Sequence, residues 1–509
     1  MITIRLSDKA YENDVYPLVK AFYPDETVKV CREELESGAL SEKQSEKSVE
    51  ENKGSLCETD FATSLEIEIL FLEQKIEIIF TFEGLKESHQ RSISMGNSIA
   101  DYKNTMKRFL YDVLSELTEK KLPWGILTGI RPTKLVLEML CRDMSEEAIH
   151  RKMREEYLCS DVKTDLSIRI AKREIDLLEE MDYKNGYSLY IGIPFCPSTC
   201  LYCSFTSYSV AKFSDLVEDY LAALEKEIRF GAKCFPNKKL TTVYFGGGTP
   251  TTLTAAQLDR LLGLVKECFD FTYVKEFCVE AGRPDSITME KLEVLKKWGV
   301  DRISINPQSM QQKTLDIIGR KHTVEDIVEA FCMARETGHN NINMDIIIGL
   351  PGENPGDVKD TLRRIAQLNP ESLTVHTLAL KRAARLNLEK KNYEMIKAVG
   401  VPEMLLETMQ FAERNNYLPY YLYRQKNMSD NLENIGYARY GKEGLYNILI
   451  MEEKQTILAL GAGAMSKFVF QEENRIERVD SVKSITDYIE RIDEMLSRKR
   501  DFIQNNPGM

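Results

Sequence analysis

The sequence predicts an α/β protein built on a parallel β-sheet with covering helices. A small α+β domain precedes this sheet and a mostly helical covering domain follows it. Three observations lead there. From Tyr187 onward six strand-like runs (187–193, 241–245, 274–281, 301–305, 342–350 and 372–379) alternate with helix-like runs at 213–233, 254–269, 288–298, 310–318, 323–337 and 355–368. Such β/α repeats produce parallel strands, arranged either as a partial barrel or as an open doubly wound sheet. Upstream, period-two alternation at Ser64–Leu70 and Lys75–Phe80 reads as a hairpin beside a helix at 98–120. Beyond about Ala384 the strand–helix alternation stops.

At 509 residues the chain exceeds one ordinary domain, and 43% hydrophobic residues suffice for substantial cores. The expected organisation is an N-terminal α+β domain over residues 1–120, a helical connector over 121–184, the parallel-sheet domain over 185–385 and a C-terminal domain over 386–509. Residues 1–31 combine a strand at Met1–Leu6 with a helix around Tyr11–Phe22. Residues 32–60 are nearly all Glu, Lys, Ser, Gln and Asn. They carry too few apolar side chains to offset ordering entropy and read as a flexible insertion. In the helix at 98–120, Met106, Leu110, Val113, Leu114 and Leu117 supply one apolar face.

The stretch Leu122–Lys134 holds two Gly, two Pro and one of the two Trp, and reads as a shaped, packed connector. Its Arg131 and Lys134 are also able to meet an anion. A helix at 133–141 and two more within 145–182 follow. The C-terminal segment contains helices near 389–415 and 482–498, an aromatic stretch at Tyr417–Tyr423 and the small-residue run Leu458–Ser466.

Composition excludes several classes. A net charge of −12, from 80 acidic and 68 basic residues, opposes a general nucleic-acid binder. It does not oppose an anionic small substrate, because a pocket can be locally basic. No run approaches the ~20 apolar residues of a membrane helix. The first residues, Met-Ile-Thr-Ile-Arg-Leu-Ser-Asp, lack a signal-peptide layout. Eleven cysteines in so long a chain are not a disulfide scaffold; a cytoplasmic, reducing setting is expected.

Chemistry concentrates at the ends of the predicted strands. After the first comes Cys196-Pro197-Ser198-Thr199-Cys200-Leu201-Tyr202-Cys203-Ser204-Phe205. Three cysteines on one loop can turn their sulfurs onto a shared metal centre. A zinc site would want a fourth Cys or His nearby, and none occurs between Phe205 and Cys234. Three unrelated thiols are the bland alternative. The second strand runs into Gly246-Gly247-Gly248-Thr249-Pro250, where missing Cβ atoms let backbone approach a ligand closely. The third ends on Glu280. The fourth leads through Arg302-Ile303-Ser304-Ile305-Asn306-Pro307-Gln308 to Arg320, a residue suited to planar, bidentate carboxylate pairing. The fifth carries Asp345 in Asp345-Ile346-Ile347-Ile348-Gly349-Leu350-Pro351. A carboxylate in so apolar a strand is costly unless paired, which marks it as a ligand or network residue.

Together these motifs resemble the radical S-adenosylmethionine (SAM) superfamily, well over about 185–385 and loosely over 410–470. The resemblance selects a partial (β/α)6 barrel. It implies a [4Fe-4S] cluster held by Cys196, Cys200 and Cys203, whose open iron takes the amino and carboxylate groups of SAM. One electron then cleaves SAM to a 5′-deoxyadenosyl radical. The resemblance further places SAM against Gly247, Gly248 and Thr249 (amino group), Glu280 (ribose), Gln308 (ribose or adenine edges), Arg320 (carboxylate), Asp345 and Ala379 (adenine). Tyr190 and Tyr202 would line the site. Met465 matches a contact to a second SAM.

Within the superfamily the sequence resembles the oxygen-independent coproporphyrinogen III oxidase-like family. The N-terminal extension and the Gly129-Ile130-Arg131-Pro132 loop point to its coproporphyrinogen dehydrogenase HemZ-type subgroup. The implied reaction is oxidative decarboxylation of two propionates of coproporphyrinogen III to vinyl groups, in haem biosynthesis. An electron donor such as flavodoxin or ferredoxin is implied, and a monomer is expected. One position departs. The oxidase pattern has a further cysteine two residues after the third ligand, where this chain has Phe205. The haem chaperone-like branch also has Phe there, so porphyrinogen or haem stand as substrate or ligand, beside an unrelated substrate. Lys381, Arg382 and Arg385 are candidate propionate partners, and His376 a candidate haem ligand.

Overall fold

The computed structural model describes residues 1–24, 26–31, 65–72, 75–82, 85–92, 98–129, 131–205, 207–379, 385–388, 398–424 and 432–506. The insertion read at 32–60, together with Lys381 and Arg382, lies outside the described residues. The chain divides into two compact units: residues 1–129 with 146–164, and residues 130–145 with 165–509.

The first unit holds a five-stranded sheet. Its strands are β1 (Ile2–Leu6), β2 (Val28–Cys31), β3 (Leu65–Phe71), β4 (Lys75–Phe82) and β5 (Leu85–Ser92), in the order β2-β1-β3-β4-β5. Alternate residues Ile2, Ile4, Leu6, Ile67, Ile69, Ile76, Ile78 and Phe80 are buried with apolar residues of helices Glu12–Phe22 and Ile99–Thr118. The second helix starts where the sequence provides a cap, with Ser98 Oγ accepting from the Asp101 N–H. Strand β5, Leu-Lys-Glu-Ser-His-Gln-Arg-Ser, is too polar to read as a strand from sequence. It forms because the ladder with β4 satisfies its backbone, and its charged, largely exposed side chains suit a sheet edge.

The second unit carries an eleven-stranded sheet. The central strands are β6 (Gly186–Ile193), β9 (Lys239–Gly247), β10 (Glu276–Glu280), β11 (Arg302–Ser304), β12 (Ile342–Ile348) and β13 (Ser372–Thr377). They pair in chain order, all parallel. A doubly wound sheet reverses its strand order at a switch point; this order never reverses, so the repeats form the wall of a partial barrel. The strands are apolar runs buried along nearly their whole length, as parallel strands covered by helices are. The covering helices stop and start at coded caps. Thr254 with Gln257, Thr323 with Asp326 and Asn354 with Asp357 each form a capping box.

The C-terminal segment, expected as mostly helical cover, also extends this sheet at both ends. Strand β15 (Asn434–Ala438) adds antiparallel beside β13, and β14 (Leu418–Tyr423) adds antiparallel beside β15. Strand β16 (Thr456–Leu460) runs parallel beside β6, followed by β17 (Met465–Phe470) and β18 (Arg475–Asp480). The aromatic stretch at 417–423 is thus largely strand β14, and the small-residue run at 458–466 turns β16 into β17. The connector residue Arg131 donates to the Met451 carbonyl (2.7 Å) and to Glu453 Oε2 (2.8 Å), as a packed connector would.

Candidate functional site

The cysteine loop leaves β6 through a two-residue strand β7 (Phe195–Cys196), which pairs with β8 (Tyr208–Ser209). This small ladder and the glycine run fix the loop's first cysteine. The Gly248 N–H donates to the Ile193 carbonyl and the Thr249 N–H to the Phe195 carbonyl, both at 2.7 Å. Cys196 Sγ and Thr249 Oγ1 lie 3.4 Å apart. A Cβ on Gly248 would come within 2.5 Å of the Phe195 oxygen and 3.0 Å of Cys196 Sγ, so this approach requires glycine. Gly247 adopts φ +113°, which side-chain-bearing residues rarely adopt. None of the three loop cysteines is in a disulfide; Cys200 is buried, and Cys196 and Cys203 are partly accessible. Burial, and behind it the charges of Cys200 and Cys203, raise the Cys196 thiol to about 11 in the metal-free loop.

At the end of β10, Glu280 accepts a hydrogen bond from the Tyr244 hydroxyl at 2.5 Å. Burial raises its carboxyl to about 7, against the lowering pull of that hydrogen bond. Tyr244 stacks on Tyr446 (centroids 4.5 Å apart), and Tyr190 stacks against both. Gln308 has φ +65°, uncommon for a non-glycine residue and concentrated at functional positions. Its N–H donates to the Asp345 carbonyl and its own carbonyl accepts from Ile347, each at 2.9 Å. The Gln308 Oε1 atom is buried without a partner.

Arg320 is 6% exposed. Its Nη1 donates to the Asn306 carbonyl (2.5 Å) and its Nη2 to the Tyr202 hydroxyl (3.3 Å), while Nε is buried with no partner. Asp345 accepts from Asn343 Nδ2 at 2.6 Å and lies 3.7 Å from His376 Nε2. Burial alone would raise its carboxyl; His376, Asn343 and Thr374 outweigh it and hold the carboxyl below its usual range. Asn306 links two neighbours, accepting from the Asp345 N–H at 3.2 Å and from Arg320.

The predicted residues fall into three contacting groups: Cys196 with Thr249; Glu280 with Tyr244, against which Tyr190 stacks; and Tyr202, Arg320, Asp345 and Gln308, linked through Asn306 and the Asp345 backbone. Ala379 stands just past β13, and Met465, 44% exposed, opens β17. Arg302 is absorbed by Asn341 Oδ1, the Lys442 carbonyl and Ser372 Oγ, a structural role. Sequence reasoning missed Tyr244, Asn306, Tyr446 and Arg283. The last was signalled by a cation and a proline directly behind a strand-end motif.

Comparison with known proteins identifies the family. A model of the Radical SAM superfamily matches residues 190–365. The chain is 42% identical over 429 residues to the oxygen-independent coproporphyrinogen-III oxidase-like protein HemZ of Bacillus subtilis (strain 168), covering 83% of this chain and 86% of that one. It belongs to this radical SAM family. The heme chaperone HemW of the same organism is 31% identical over 287 residues, 54% of this chain and 70% of that one. Among solved structures, coproporphyrinogen III oxidase (HemN) from Escherichia coli, described as a radical SAM enzyme, matches with TM-score 0.51 and 26% identity over 63% of this chain and 72% of that one.

Family membership implies a [4Fe-4S] cluster and SAM, and the residues present fit both. Three thiols on one loop, none in a disulfide, match a cluster that leaves one iron open. The glycine approach to Cys196 and the unpartnered Gln308 Oε1 and Arg320 Nε suit a polar ligand beside it. Among the described residues no three Cys, His or carboxylate side chains converge as for a single metal ion. A cubane does not ask for that, since each cysteine binds a different iron. Among those residues also, no helix is long and apolar enough to cross a membrane.

Glu280 gives a stability prediction. The unfolded chain releases this proton near 4.5 and the folded apoprotein near 7. Between these values the native state binds more protons, so stability falls as pH rises through that window. In urea unfolding of the apoprotein, Glu280→Gln is expected to gain roughly 3 kcal/mol on wild type between pH 4.5 and pH 8. Parallel pH profiles for the two proteins would contradict the burial of this carboxyl.

Proposed function

We propose that the protein is a radical SAM oxidoreductase that decarboxylates two propionates of coproporphyrinogen III oxidatively, giving protoporphyrinogen IX. The observation that carries this reading is the three-cysteine loop held against the glycine run, with Cys196 Sγ 3.4 Å from Thr249 Oγ1. The neighbouring strands and the segments that follow them add a carboxylate (Glu280), an amide (Gln308) and a guanidinium (Arg320). When bound there, cluster and SAM supply a carbon radical able to remove a hydrogen atom from an unactivated carbon.

The chain's own residues hold and orient. Cys196, Cys200 and Cys203 ligate the cluster. Gly247, Gly248 and Thr249 let the amino end of SAM approach it. Glu280, fixed by Tyr244, accepts from ribose hydroxyls, and Gln308 meets the ribose or adenine edges. Arg320 pairs the SAM carboxylate, Asp345 keeps the adjoining network charged, and the backbone at Ala379 meets adenine. Tyr190 and Tyr202 close the sides against water. Each propionate then loses a β-hydrogen atom, carbon dioxide and one electron, the electron passing to an acceptor. The partners of this reading are a porphyrinogen, an electron donor of flavodoxin or ferredoxin type and no nucleic acid, in a cytoplasmic setting.

Phe205 favours a second reading, a haem-binding chaperone on the same core. It is 70% exposed two residues beyond Cys203. Against it, His376 near the end of β13 is already engaged, 3.7 Å from Asp345 Oδ2 and 3.3 Å from the Tyr423 hydroxyl. Anaerobic incubation of reconstituted protein with SAM, reductant and coproporphyrinogen III tests the choice. The expected result is a product lighter by two formic acid equivalents after mass spectrometric oxidation-state correction. Stoichiometric haem binding without any decarboxylation would sink the first reading.

A further inference from the structure

Arg283 sits at the exit of β10, in Ala281-Gly282-Arg283-Pro284-Asp285, and points its guanidinium at the cysteine loop. Its Nη1 donates to Cys200 Sγ at 3.3 Å and to the Ser198 carbonyl at 3.2 Å. Its Nη2 donates to Ser198 Oγ at 3.1 Å. Asp285 grips the other edge, accepting from Nε at 2.9 Å and from Nη2 at 2.6 Å. The side chain is 4% exposed. A buried cation is costly, and the chain retains this one against a sulfur 83 residues away in sequence. The fork could have been satisfied by Asp285 and Ser198 alone, yet one N–H is given to a cysteine.

We propose that Arg283 is a positioning residue that sets the reduction potential of the cluster through Cys200. The inference rests on the cluster reading of Cys196, Cys200 and Cys203. Reduction adds one electron from an external reductant and moves no proton, so the reduced cluster is more negative by one charge. A guanidinium N–H donated to a ligating sulfur stabilises that extra charge, and hydrogen bonds to cluster sulfurs are among the terms that set such potentials. Asp285 has two opposed effects: it aims the fork, and its carboxylate offsets part of the cation's field. The pair therefore makes a tuning device with one element of each sign, built on the strand next but one to the cysteine loop's own.

The test is an anaerobic redox titration of the reconstituted full chain without SAM, with dithionite as reductant, read by the electron paramagnetic resonance signal of the reduced cluster. Iron content is measured in parallel. Arg283→Gln is expected to lower the reduced-to-oxidised ratio at fixed potential about tenfold, which is about 59 mV downward for a one-electron couple. Arg283→Lys, which keeps the charge and loses the fork, is expected between it and wild type. Asp285→Asn is expected to move the potential upward. Full iron content in Arg283→Gln with an unchanged potential overturns the proposal. Should Arg283→Gln fail to retain iron, the sign for Asp285→Asn decides: upward supports the proposal, unchanged or downward overturns it. Wild type without any cluster signal would instead overturn the cluster reading beneath it.

Discussion

In the Cys196→Ala variant, reconstitution with iron and sulfide is expected to leave no stable four-iron absorption, and 5′-deoxyadenosine is expected to fall to the no-enzyme background. The loss should reach about 10⁴-fold, the scale seen when one member of a catalytic unit is removed. Three cysteines outside any disulfide lie on this loop, so a cluster already short of a fourth protein ligand would be left with two. Cys196 is also anchored, beside Thr249 and inside the β7–β8 ladder. Absorption spectroscopy and mass spectrometry of the nucleoside product check this. A variant that still assembles a full cluster and cleaves SAM would show that the ligand assignment is wrong.

The second large effect is expected from Gly248→Ala. The added methyl would lie 2.5 Å from the Phe195 oxygen and 2.9 Å from its carbonyl carbon, both backbone atoms, and 3.0 Å from Cys196 Sγ. No flexible side-chain end is available to give way, so the loop itself must shift. Overpacking of this kind costs about 1–3 kcal/mol, and if that strain falls on the ligand-bearing loop, SAM affinity should drop about 10- to 100-fold. Equilibrium dialysis of SAM against the reconstituted variant measures it. Gly129→Ala, where an added Cβ meets nothing within 4 Å, serves as the control. Unchanged SAM affinity in Gly248→Ala would remove the glycine run from the binding site.

The six β/α repeats were legible because their code is local, and the resemblance, not the pattern, selected a partial barrel over an open sheet. Each of the six parallel strands is an apolar run bounded by turn residues, and the observed β6, β9, β10, β11, β12 and β13 fall within or around the predicted ranges. Most motif residues were legible for the same reason: Cys196, Thr249, Glu280 and Gln308 end their own strands or follow them within a few positions. What escaped depends on partners distant in sequence. Strand β16 is an ordinary five-residue apolar stretch until it is placed beside β6, about 270 residues earlier. Strand β5 is polar and acquires its structure from the β4 ladder rather than from burial. Arg283 reads as a turn residue until the fold sets it against Cys200. Tyr446 was hidden likewise, since only the fold stacks it on Tyr244 and Tyr190. The resemblance to the superfamily supplied roles for the strand-end residues; it supplied none for these later arrivals.

The substrate is the open choice, because Phe205 separates this chain from the oxidase pattern while the residues proposed for the SAM site resemble it. The most direct measurement uses coproporphyrinogen III deuterated at the propionate β-carbons, incubated anaerobically with the reconstituted protein, SAM and reductant. The expected result is 5′-deoxyadenosine carrying deuterium together with a vinyl product that has lost one of the two deuterium atoms from each reacting β-carbon. Deoxyadenosine free of deuterium, with the porphyrinogen recovered intact, would contradict it.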